Sequence, residues 1–286
     1  MTNHSISPAG EKFAIPDQSE YTEEFERVTA LVEAARKDDK EIVVVMGVGF
    51  VGAVMAAIIA DTVDKQTGKP GKFVIGCQRP SVRSYWKIPL LNRGVSPVKA
   101  EDPEVEPMMA RCVLEKKTLI GTYNSDCLKL ADCVVVDVQC DYTKTELGNM
   151  RTGKAEMEAL KATIKTIGDK VPPDCLTLIE TTVAPGTTEF VAWPIMKKAF
   201  AERGIETEPL LAHSFERVMP GREYVASIRD FWRVCSGCNS RARKRVEKFL
   251  REVLNTEEFP LTVMDRPIES ETTKIVENSY RATILA

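Results

Sequence analysis

The feature that most limits the possible fold is a glycine-rich turn between a short apolar run and an apolar helical pattern. EIVVVM at residues 41–46 is followed directly by GVGFVG at 47–52 and then by the helical pattern AVMAAIIA. A β-branched run of this length, bounded by turn glycines, is typical of a strand buried on both faces of a parallel sheet. The segment therefore predicts a strand, a tight turn and a helix, which together begin a βαβ unit.

Further apolar runs of strand length follow, and helical patterns separate several of them. The runs are KFVIGC at 72–77, TLIGT at 118–122, CVVVDV at 133–138, LTLIET at 176–181 and TEPLLAH at 207–213. Strands that alternate with helices close into right-handed βαβ crossovers. The sequence therefore predicts an α/β fold, with a doubly wound, Rossmann-like parallel sheet that helices cover on both faces.

The spacing of the glycines indicates what the turn binds. The first glycine permits a tight turn, the second lets the backbone approach a diphosphate, and the third lets the helix pack closely on the strand. Free N–H groups at the start of the next helix also favour an anion. The predicted dinucleotide contacts in this turn are Gly47, Gly49, Phe50, Val51 and Gly52. A glycine turn without a ligand is the structural alternative.

The end of the KFVIGC run departs from the usual dinucleotide-binding pattern. Gln78 and Arg79 stand where an acidic residue normally accepts hydrogen bonds from the adenosine ribose. A guanidinium group without a neighbouring carboxylate could also accommodate a 2′-phosphate. The sequence therefore predicts a dinucleotide cofactor with NADP left open, and a solvated loop position is the alternative for Arg79.

The organisation along the chain predicts three parts. Residues 1–40 are expected to form a leader and one helix, residues 41–264 the dinucleotide-binding domain, and residues 265–286 the start of a long helix. This last helical pattern reaches Ala286 without a glycine cap or a proline stop, so we expect the chain to end inside a helix.

Composition limits the partners. The formal net charge of −3 gives no electrostatic reason to bind nucleic acid or an anionic membrane. No apolar run reaches the roughly 18 residues of a membrane span, and the polar N-terminal segment lacks the apolar centre of a secretory signal. We therefore expect a cytoplasmic protein with small-molecule and protein partners.

Cys235 and Cys238 form a CxxC pair without the further ligands of a zinc site, so two thiols at a strand end are the favoured interpretation.

Two later segments place hydroxyl, acidic and basic residues behind predicted strands. TTVAPGTT at 181–188 follows one strand, and SFERVMPGR at 214–222 follows another. Ligands bind at the carboxyl ends of the strands in open α/β sheets, so both segments are candidate binding segments. Capping of the next helix is a structural alternative for Thr187 or Thr188.

Together with the final segment ESETTKIVENSYRATILA, these motifs resemble the UDP-glucose/GDP-mannose dehydrogenase family. TTVAPGTT is similar to the family's STVPPGTT, SFERVMPGR is similar to its PERV-PG segment, and the final segment is similar to the start of its long central helix. The resemblance implies two NAD-dependent hydride transfers that oxidise the C6 hydroxyl of a nucleotide sugar to a carboxylate. The PERV-like motif is closer to the branch that acts on N-acetylated hexosamines, which favours a UDP-N-acetylhexosamine.

The resemblance also assigns roles to individual residues. Thr182 and Glu216 would position or activate the catalytic water, and Lys274 would stabilise the oxyanion that develops at C6. Asn278, one helical turn after Lys274, would face the sugar. Val138, Thr181 and Thr182 would contact the cofactor. An ordinary surface charge is the structural alternative for Lys274.

Several positions depart from the family pattern. Val138-Gln139-Cys140-Asp141 stands in place of valine-proline-threonine-proline, and Phe215 replaces the proline before the motif glutamate. The family's nucleophilic cysteine, in a Gly-x-Cys-x-Pro-Lys-Asp setting, has no match in this sequence. We therefore expect a truncated, cofactor-binding part that lacks the C-terminal substrate domain, from a protein that forms a homodimer through the central helix at full length. The alternatives are a hydroxyacid-type dehydrogenase and a non-catalytic NAD-binding module.

Overall fold

A central sheet of eight strands organises the part of the chain that the computed structural model describes, which is residues 4–146, 149, 151–219 and 221–285. The strands of the molecule are β1 (His4–Ile6), β2 (Lys12–Ala14), β3 (Glu41–Met46), β4 (Lys72–Cys77), β5 (Leu119–Thr122), β6 (Cys133–Val136), β7 (Asp141–Lys144), β8 (Gly153–Glu156), β9 (Leu176–Ile179), β10 (Leu210–His213), β11 (Arg233–Gly237) and β12 (Leu261–Val263). The spatial order in the central sheet is β12-β11-β10-β9-β6-β3-β4-β5.

The helices lie between these strands. They are α1 (Glu20–Lys37), α2 (Phe50–Asp61), α3 (Lys87–Asn92), α4 (Val105–Ala110), α5 (Glu158–Gly168), α6 (Trp193–Glu202), α7 (Tyr224–Arg229), α8 (Ser240–Val253) and α9 (Pro267–Leu285). A 3₁₀ helix spans Ser125–Leu130, and π-helical segments span Arg111–Glu115 and Thr188–Ala192. The π-helical segment before α6 explains why the helical pattern after the APGTT turn begins earlier in the sequence than the α-helix.

The sheet confirms the predicted doubly wound α/β architecture. β3 is paired in parallel with both β4 and β6, and β6 with β9, so the strands with glycine or polar residues behind them end at one edge. We call this the carboxyl edge and the opposite one the amino edge. One pair differs from the parallel prediction, because β11 runs antiparallel to β10.

Helices cover both faces of the sheet. On one face, α2 and α8 pack against alternate strand residues such as Val43, Val135 and Leu178. On the other face, α1, α5 and α6 pack against Ile42, Val44 and their neighbours. Because successive strand residues point to opposite faces, strands buried on both sides read as unbroken apolar runs. The sequence pattern therefore follows directly from this layering.

Two hairpins lie outside the central sheet. The first, β1 with β2, folds the N-terminal residues back on themselves and packs beside the segment after β4, where the Ser5 hydroxyl donates to the Val82 carbonyl at 2.9 Å. The second, β7 with β8, follows the carboxyl end of β6 and is exposed along β7. Neither hairpin was predicted. No helix in the described ranges is long and apolar enough to cross a membrane.

Candidate functional site

The glycine turn has the geometry that the sequence predicted. Gly47 has a φ of +103°, and a Cβ atom there would stand 2.7 Å from the carbonyl oxygen of Asp137. A Cβ on Gly52 would stand 2.0 Å from the Gly47 carbonyl oxygen. In contrast, a Cβ on Gly49 would meet no described atom within 4 Å. Two glycines are therefore required by packing, and the middle one leaves the backbone open to an approaching group.

The residues at the end of β4 divide their roles. The Gln78 Oε1 accepts a hydrogen bond from the Val48 N–H at 3.0 Å, so this side chain supports the glycine turn itself. Arg79 is exposed one residue further along. Both residues follow β4 directly. The structure gives Gln78 a hydrogen bond within the protein, which supports the turn. The choice between NAD and NADP through Arg79 stays a prediction.

An aromatic pair flanks the start of α2. The Phe50 and Tyr224 rings stack with their centroids 4.8 Å apart, and the Tyr224 hydroxyl donates to the Phe50 carbonyl. Tyr224 is buried, whereas Phe50 remains 42% exposed. The side chain of Asp102 joins this corner because it accepts a hydrogen bond from the Val225 N–H at 2.9 Å. α7 thereby fixes the helix start that would face a diphosphate.

The turn after β9 is tied to the turn after β6. The Thr181 hydroxyl donates to the Val138 carbonyl at 2.8 Å, so the two predicted cofactor residues are direct neighbours. Thr182 is half-buried beside them. The Thr187 hydroxyl donates to the Ala184 carbonyl at 2.6 Å and makes no capping bond. The threonine-rich segment therefore folds as a compact turn at the carboxyl edge.

The capping alternative for the threonines is wrong, because a residue from another element caps this helix. Glu271 of α9 accepts hydrogen bonds from the N–H groups of Gly186 at 2.5 Å and Thr188 at 2.7 Å. A carboxylate at a helix N-terminus satisfies free N–H groups and interacts well with the helix dipole. Burial raises the pKa of the Glu271 carboxyl, while these two bonds oppose that rise. α9 is therefore docked directly on the APGTT turn.

Glu216 and Lys274 meet at the carboxyl edge although 58 residues separate them. The Lys274 Nζ donates to the Glu216 carbonyl at 2.7 Å and lies 3.3 Å from the Glu216 Oε1. It also lies 5.2 Å from the centre of the Phe215 ring. Burial lowers the pKa of the Lys274 ammonium. The side chain of Lys274 is buried, which contradicts the alternative of an ordinary surface charge.

A buried ion pair lies behind this contact. The Arg233 Nη2 donates to the Glu180 Oε1 at 2.8 Å, and both side chains have no exposed surface. The Arg233 Nη1 donates to the Phe215 carbonyl, so one guanidinium group connects the turn after β9 to the segment that carries Glu216. Burial raises the pKa of the Glu180 carboxyl, and Arg233 acts in the opposite direction. Sequence reasoning did not identify either residue as part of the site.

Asp137 completes this group of charges. It follows β6 directly and lies against Gly47 and Gly52 of the glycine turn. Burial raises the pKa of its carboxyl well above the ordinary range, and the charges of Glu180 and Glu216 act in the same direction. The five residues of this carboxyl-edge cluster are Asp137, Glu180, Glu216, Arg233 and Lys274.

His213 forms a second buried polar contact at the end of β10. Its Nδ1 lies 2.7 Å from the Ser270 hydroxyl of α9, and the Ser236 hydroxyl lies 2.7 Å from the same Ser270 oxygen. Burial lowers the pKa of His213 to about 3, so the imidazole is neutral at ordinary pH. The neutral imidazole and two hydroxyls connect β10, β11 and α9 beneath the carboxyl-edge cluster.

Two parts of the motif-based prediction lie further out. Asn278 is exposed on α9, four residues beyond Lys274. Arg217 forms an ion pair with Glu277, and its guanidinium lies 4.2 Å from the centre of the Phe231 ring. Pro220 of the SFERVMPGR motif lies outside the described residues. The structure therefore brings Glu216 and Lys274 into contact, while Asn278 faces outward.

The cysteines show no metal-binding arrangement in the part of the chain described here. No cluster of three or more histidine, cysteine, aspartate or glutamate residues there is placed to hold a metal ion. Cys235 is buried in β11, and Cys238 follows that strand. Burial raises the pKa of the Cys235 thiol to about 12 and raises that of Cys238 as well. Both thiols are therefore protonated at ordinary pH.

The glycine turn has the arrangement that the diphosphate of a dinucleotide requires. The open space at Gly49 and the close packing at Gly47 and Gly52 are the features that a diphosphate requires. The ammonium of Lys274 and the carboxylate of Glu216 lie at the same edge of the sheet, where a second substrate would meet the cofactor. An ammonium in a dry site can stabilise a developing oxyanion strongly.

Known proteins resemble this chain in sequence and in fold. The NAD binding domain model of the UDP-glucose/GDP-mannose dehydrogenase family matches residues 41–254. A UDP-N-acetyl-D-mannosamine dehydrogenase from Pyrococcus horikoshii is 25% identical over 244 residues, which cover 85% of this chain and 51% of that protein. The chain thus spans about half the length of the curated relative that it matches.

Solved structures give the same result. The crystal structure of NDP-N-acetyl-D-galactosaminuronic acid dehydrogenase from Methanosarcina mazei has a TM-score of 0.73 and 28% identity, and covers 89% of this chain and 50% of its own. GDP-mannose dehydrogenase from Pseudomonas aeruginosa, in a ternary complex, has a TM-score of 0.67 at 18% identity, over 85% of this chain and 50% of its own, and this likeness shows the fold alone. The chain belongs to the UDP-glucose/GDP-mannose dehydrogenase family, and its residues 41–254 match that family's NAD-binding domain.

Proposed function

We propose that this chain is the cofactor-binding part of a nucleotide-sugar 6-dehydrogenase that oxidises the C6 hydroxyl of a UDP-N-acetylhexosamine with NAD. The family membership supports the reaction type, and the relatives named for N-acetylated sugars support the substrate class. The observation that carries the proposal is the contact between Lys274 and Glu216 at the carboxyl edge, beside the glycine turn. Two motifs that lie 58 residues apart in the sequence meet there, and this supports a shared role.

The cofactor supplies the hydride acceptor, and this chain's residues hold and orient it. The backbone at Gly49 is open towards the diphosphate, and the first N–H groups of α2 favour its charge. The stacked rings of Phe50 and Tyr224 keep the start of α2 in place. Thr181 and Val138 form the neighbouring surface, because their hydrogen bond joins the turns after β9 and β6.

Lys274 acts on the substrate oxygen in this proposal. Oxidation of the alcohol removes a proton from the C6 hydroxyl, to a base or to water, and a hydride from C6. As the proton leaves, negative charge develops on the hydroxyl oxygen, and an ammonium group aimed at that oxygen stabilises it. Burial lowers the pKa of Lys274, which eases exchange of a proton with the substrate. Glu216 holds the ammonium in place through its carbonyl and its carboxylate. Thr182 and Glu216 together would position water for the later hydrolytic step.

Oxidation of the aldehyde to a carboxylate needs a nucleophile at the aldehyde carbon. Cys140 lies near the cofactor surface, but its thiol contacts the Glu156 carbonyl at 3.8 Å, and burial raises its pKa. A protonated thiol is a weak nucleophile. We therefore assign to this chain the binding of NAD and the first hydride transfer, and not the covalent step.

The cofactor part is tested by a matched set of glycine substitutions. Gly49→Ala places a methyl group in open space on the cofactor side, so we expect the melting temperature to stay within about 3 °C and NAD affinity to fall at least tenfold. Gly71→Ala is the control, because Gly71 also meets nothing within 4 Å but lies at the amino edge. Calorimetric titration with NAD measures the affinity of both variants, and melting curves measure their stability. Equal affinities for the two variants would contradict the proposal.

The reaction is tested by following NADH formation with UDP-N-acetylhexosamines, UDP-glucose, GDP-mannose and 2-hydroxy acids. We expect NAD to be reduced in the presence of the UDP-N-acetylhexosamines. Lys274→Met should abolish this reduction. Lys248→Met should retain it, because the Lys248 side chain is 73% exposed on α8. Oxidation of a 2-hydroxy acid alone would support the hydroxyacid-type enzyme. NAD binding without reduction by any substrate would contradict the assignment of the first hydride transfer to this chain.

A further inference from the structure

One carboxyl oxygen of Asp137 lies beside the glycine turn without a hydrogen-bond partner among the described residues. Its Oδ2 is buried and has no hydrogen-bond partner among the described residues. Its backbone carbonyl contacts Gly47, and its Cβ would stand 3.0 Å from a Cβ on Gly52. The close packing against both glycines fixes the position of this side chain. A buried polar atom without a partner costs free energy, so such an atom beside a binding turn points to a partner that arrives with a ligand.

The charges of the carboxyl-edge cluster do not balance if every member is ionised. Three carboxylates face two cations, and each cation already has a carboxylate partner. Arg233 donates to Glu180 at 2.8 Å, and Lys274 lies 3.3 Å from Glu216. No ion pair to Asp137 is present among the described residues. An ionised Asp137 would therefore be an uncompensated charge next to two carboxylates.

The charged groups near Asp137 act on its carboxyl in both directions, because two acids raise its pKa and Arg233 lowers it. Glu180 after β9 and Glu216 after β10 are the acids within electrostatic reach, and Arg233 of β11 is the cation. Tyr224 of α7 also lies within electrostatic reach, and burial raises the pKa of its phenol, so it stays neutral. Burial dominates at Asp137 itself and raises the pKa of the carboxyl well above the ordinary range. Burial and the two neighbouring acids therefore favour the protonated form of this group.

We propose that Asp137, as a neutral carboxylic acid, donates a hydrogen bond to the nicotinamide half of the bound dinucleotide. This inference rests on the proposed binding of NAD. Asp137 lies against the glycine turn and within electrostatic reach of Glu216, so a dinucleotide with its diphosphate at the turn and its reactive end towards Lys274 would extend past it. A protonated carboxyl donates to a ribose or phosphate oxygen, whereas an ionised one would repel the diphosphate. The proton therefore decides whether this residue favours or opposes the cofactor.

Two substitutions separate hydrogen-bond donation from mere packing. Asp137→Asn keeps an N–H donor of similar size, and Asp137→Ala removes the donor. By calorimetric titration we expect NAD to bind the Ala variant about tenfold more weakly and the Asn variant within about threefold of the unchanged chain. Asp141→Ala controls for the loss of an acid at the same edge, because Asp141 is exposed on β7. Unaltered binding by the Ala variant, or equal losses in Ala and Asn, would overturn the proposal.

Fragments of the cofactor locate the contact. ADP-ribose contains the diphosphate and both riboses, and we expect the Ala variant to bind it about tenfold more weakly. Adenosine monophosphate lacks the nicotinamide half, and we expect all variants to bind it equally. A loss with adenosine monophosphate of the same size as with NAD would place the effect in the adenosine half and contradict the assignment.

The pH dependence of binding tests the proton directly. NAD affinity of the unchanged chain should be constant at low pH and fall only as the pH passes the pKa of Asp137, with proton uptake on binding; the Asn variant should show neither change. Affinity that rises with pH would overturn the proposal. Melting curves show that each variant is folded. If the unchanged chain fails to bind NAD, the proposed function is refuted. If it binds NAD and Asp137→Ala binds NAD with the same affinity, only this inference is refuted.

Discussion

The two edges of the central sheet both carry clustered charges, but they satisfy them differently. At the amino edge, Lys72 forms ion pairs with Glu41 and Glu252, and Arg245 forms another with Glu41. We call these four residues the amino-edge cluster. Two cations face two carboxylates, and none of their side-chain atoms is among the buried polar atoms without partners.

The carboxyl edge shows the opposite arrangement. Three carboxylates there face two cations, and the buried atoms without partners include the Asp137 Oδ2, the Glu180 Oε2 and the Arg233 Nε. The His213 Nε2 and the Ser214 hydroxyl lie in the same region and also lack partners in the described structure. Folding alone favours paired buried groups, so unpaired ones cost stability.

The difference indicates which edge is organised for stability and which for binding. A balanced cluster such as that at the amino edge can be changed at the cost of folding energy alone. A cluster with spare donors and acceptors beside a glycine turn has groups left for a ligand, and unfavourable local energies of this kind concentrate at functional sites. Substitutions at the amino edge should therefore change stability alone, whereas those at the carboxyl edge should also change NAD binding.

The largest effect is expected when the buried ion pair of the carboxyl-edge cluster loses its cation. Arg233→Met leaves Glu180 buried without its partner, so we expect the free energy of unfolding to fall by about 3–5 kcal/mol in urea titrations. Arg233→Lys retains a cation, so its free energy of unfolding should fall less. A loss below about 1 kcal/mol in the Met variant would show that the carboxyl edge does not depend on this pair.

The comparison of the edges also shows what the sequence could reveal. β3, β4 and α2 were predicted because an unbroken apolar run and a glycine turn are local signals. The β1–β2 hairpin was missed because distant contacts hold it. The Ser5 hydroxyl donates to Val82 and accepts from the Trp86 N–H, 77 and 81 residues away. The composition of β11 also did not indicate that this strand runs antiparallel to β10.

The site residues that belong to sequence motifs could be predicted, whereas those whose roles depend on buried pairings could not. Glu216 and Lys274 were identified from two motifs, and the structure brings their side chains together. Asp137, Glu180 and Arg233 were missed as site residues, because their roles depend on pairings across strands. A signal was present, since each is a charged residue within or directly after an apolar strand run, where ionised groups are costly. The chemical roles of all these residues stay predictions.

A smaller effect should appear when the carboxyl edge is titrated with acid. The pKa of His213 is about 3 in the folded chain and about 6.5 when unfolded, so its contribution to stability is complete above pH 6.5 and is lost as the pH falls towards 3. At pH 5 we expect a loss of about 2 kcal/mol relative to pH 8. Urea unfolding of His213→Gln, which retains His4, should lack this part of the pH dependence. Identical profiles for both proteins would contradict the neutral, buried imidazole.

The smallest effect is expected at the amino edge and decides whether the two edges differ in role. Lys72→Met removes the central cation, whose side chain is 7% exposed, but Glu41 keeps Arg245 and Glu252 is partly solvated. We expect the free energy of unfolding to fall by about 1–2 kcal/mol, with NAD affinity unchanged within twofold. Urea titration and calorimetric titration with NAD measure the two quantities on the same preparation. A tenfold loss of NAD affinity here would mean that the edges are energetically coupled through β3 and β4, and that unpaired atoms alone do not identify the binding edge.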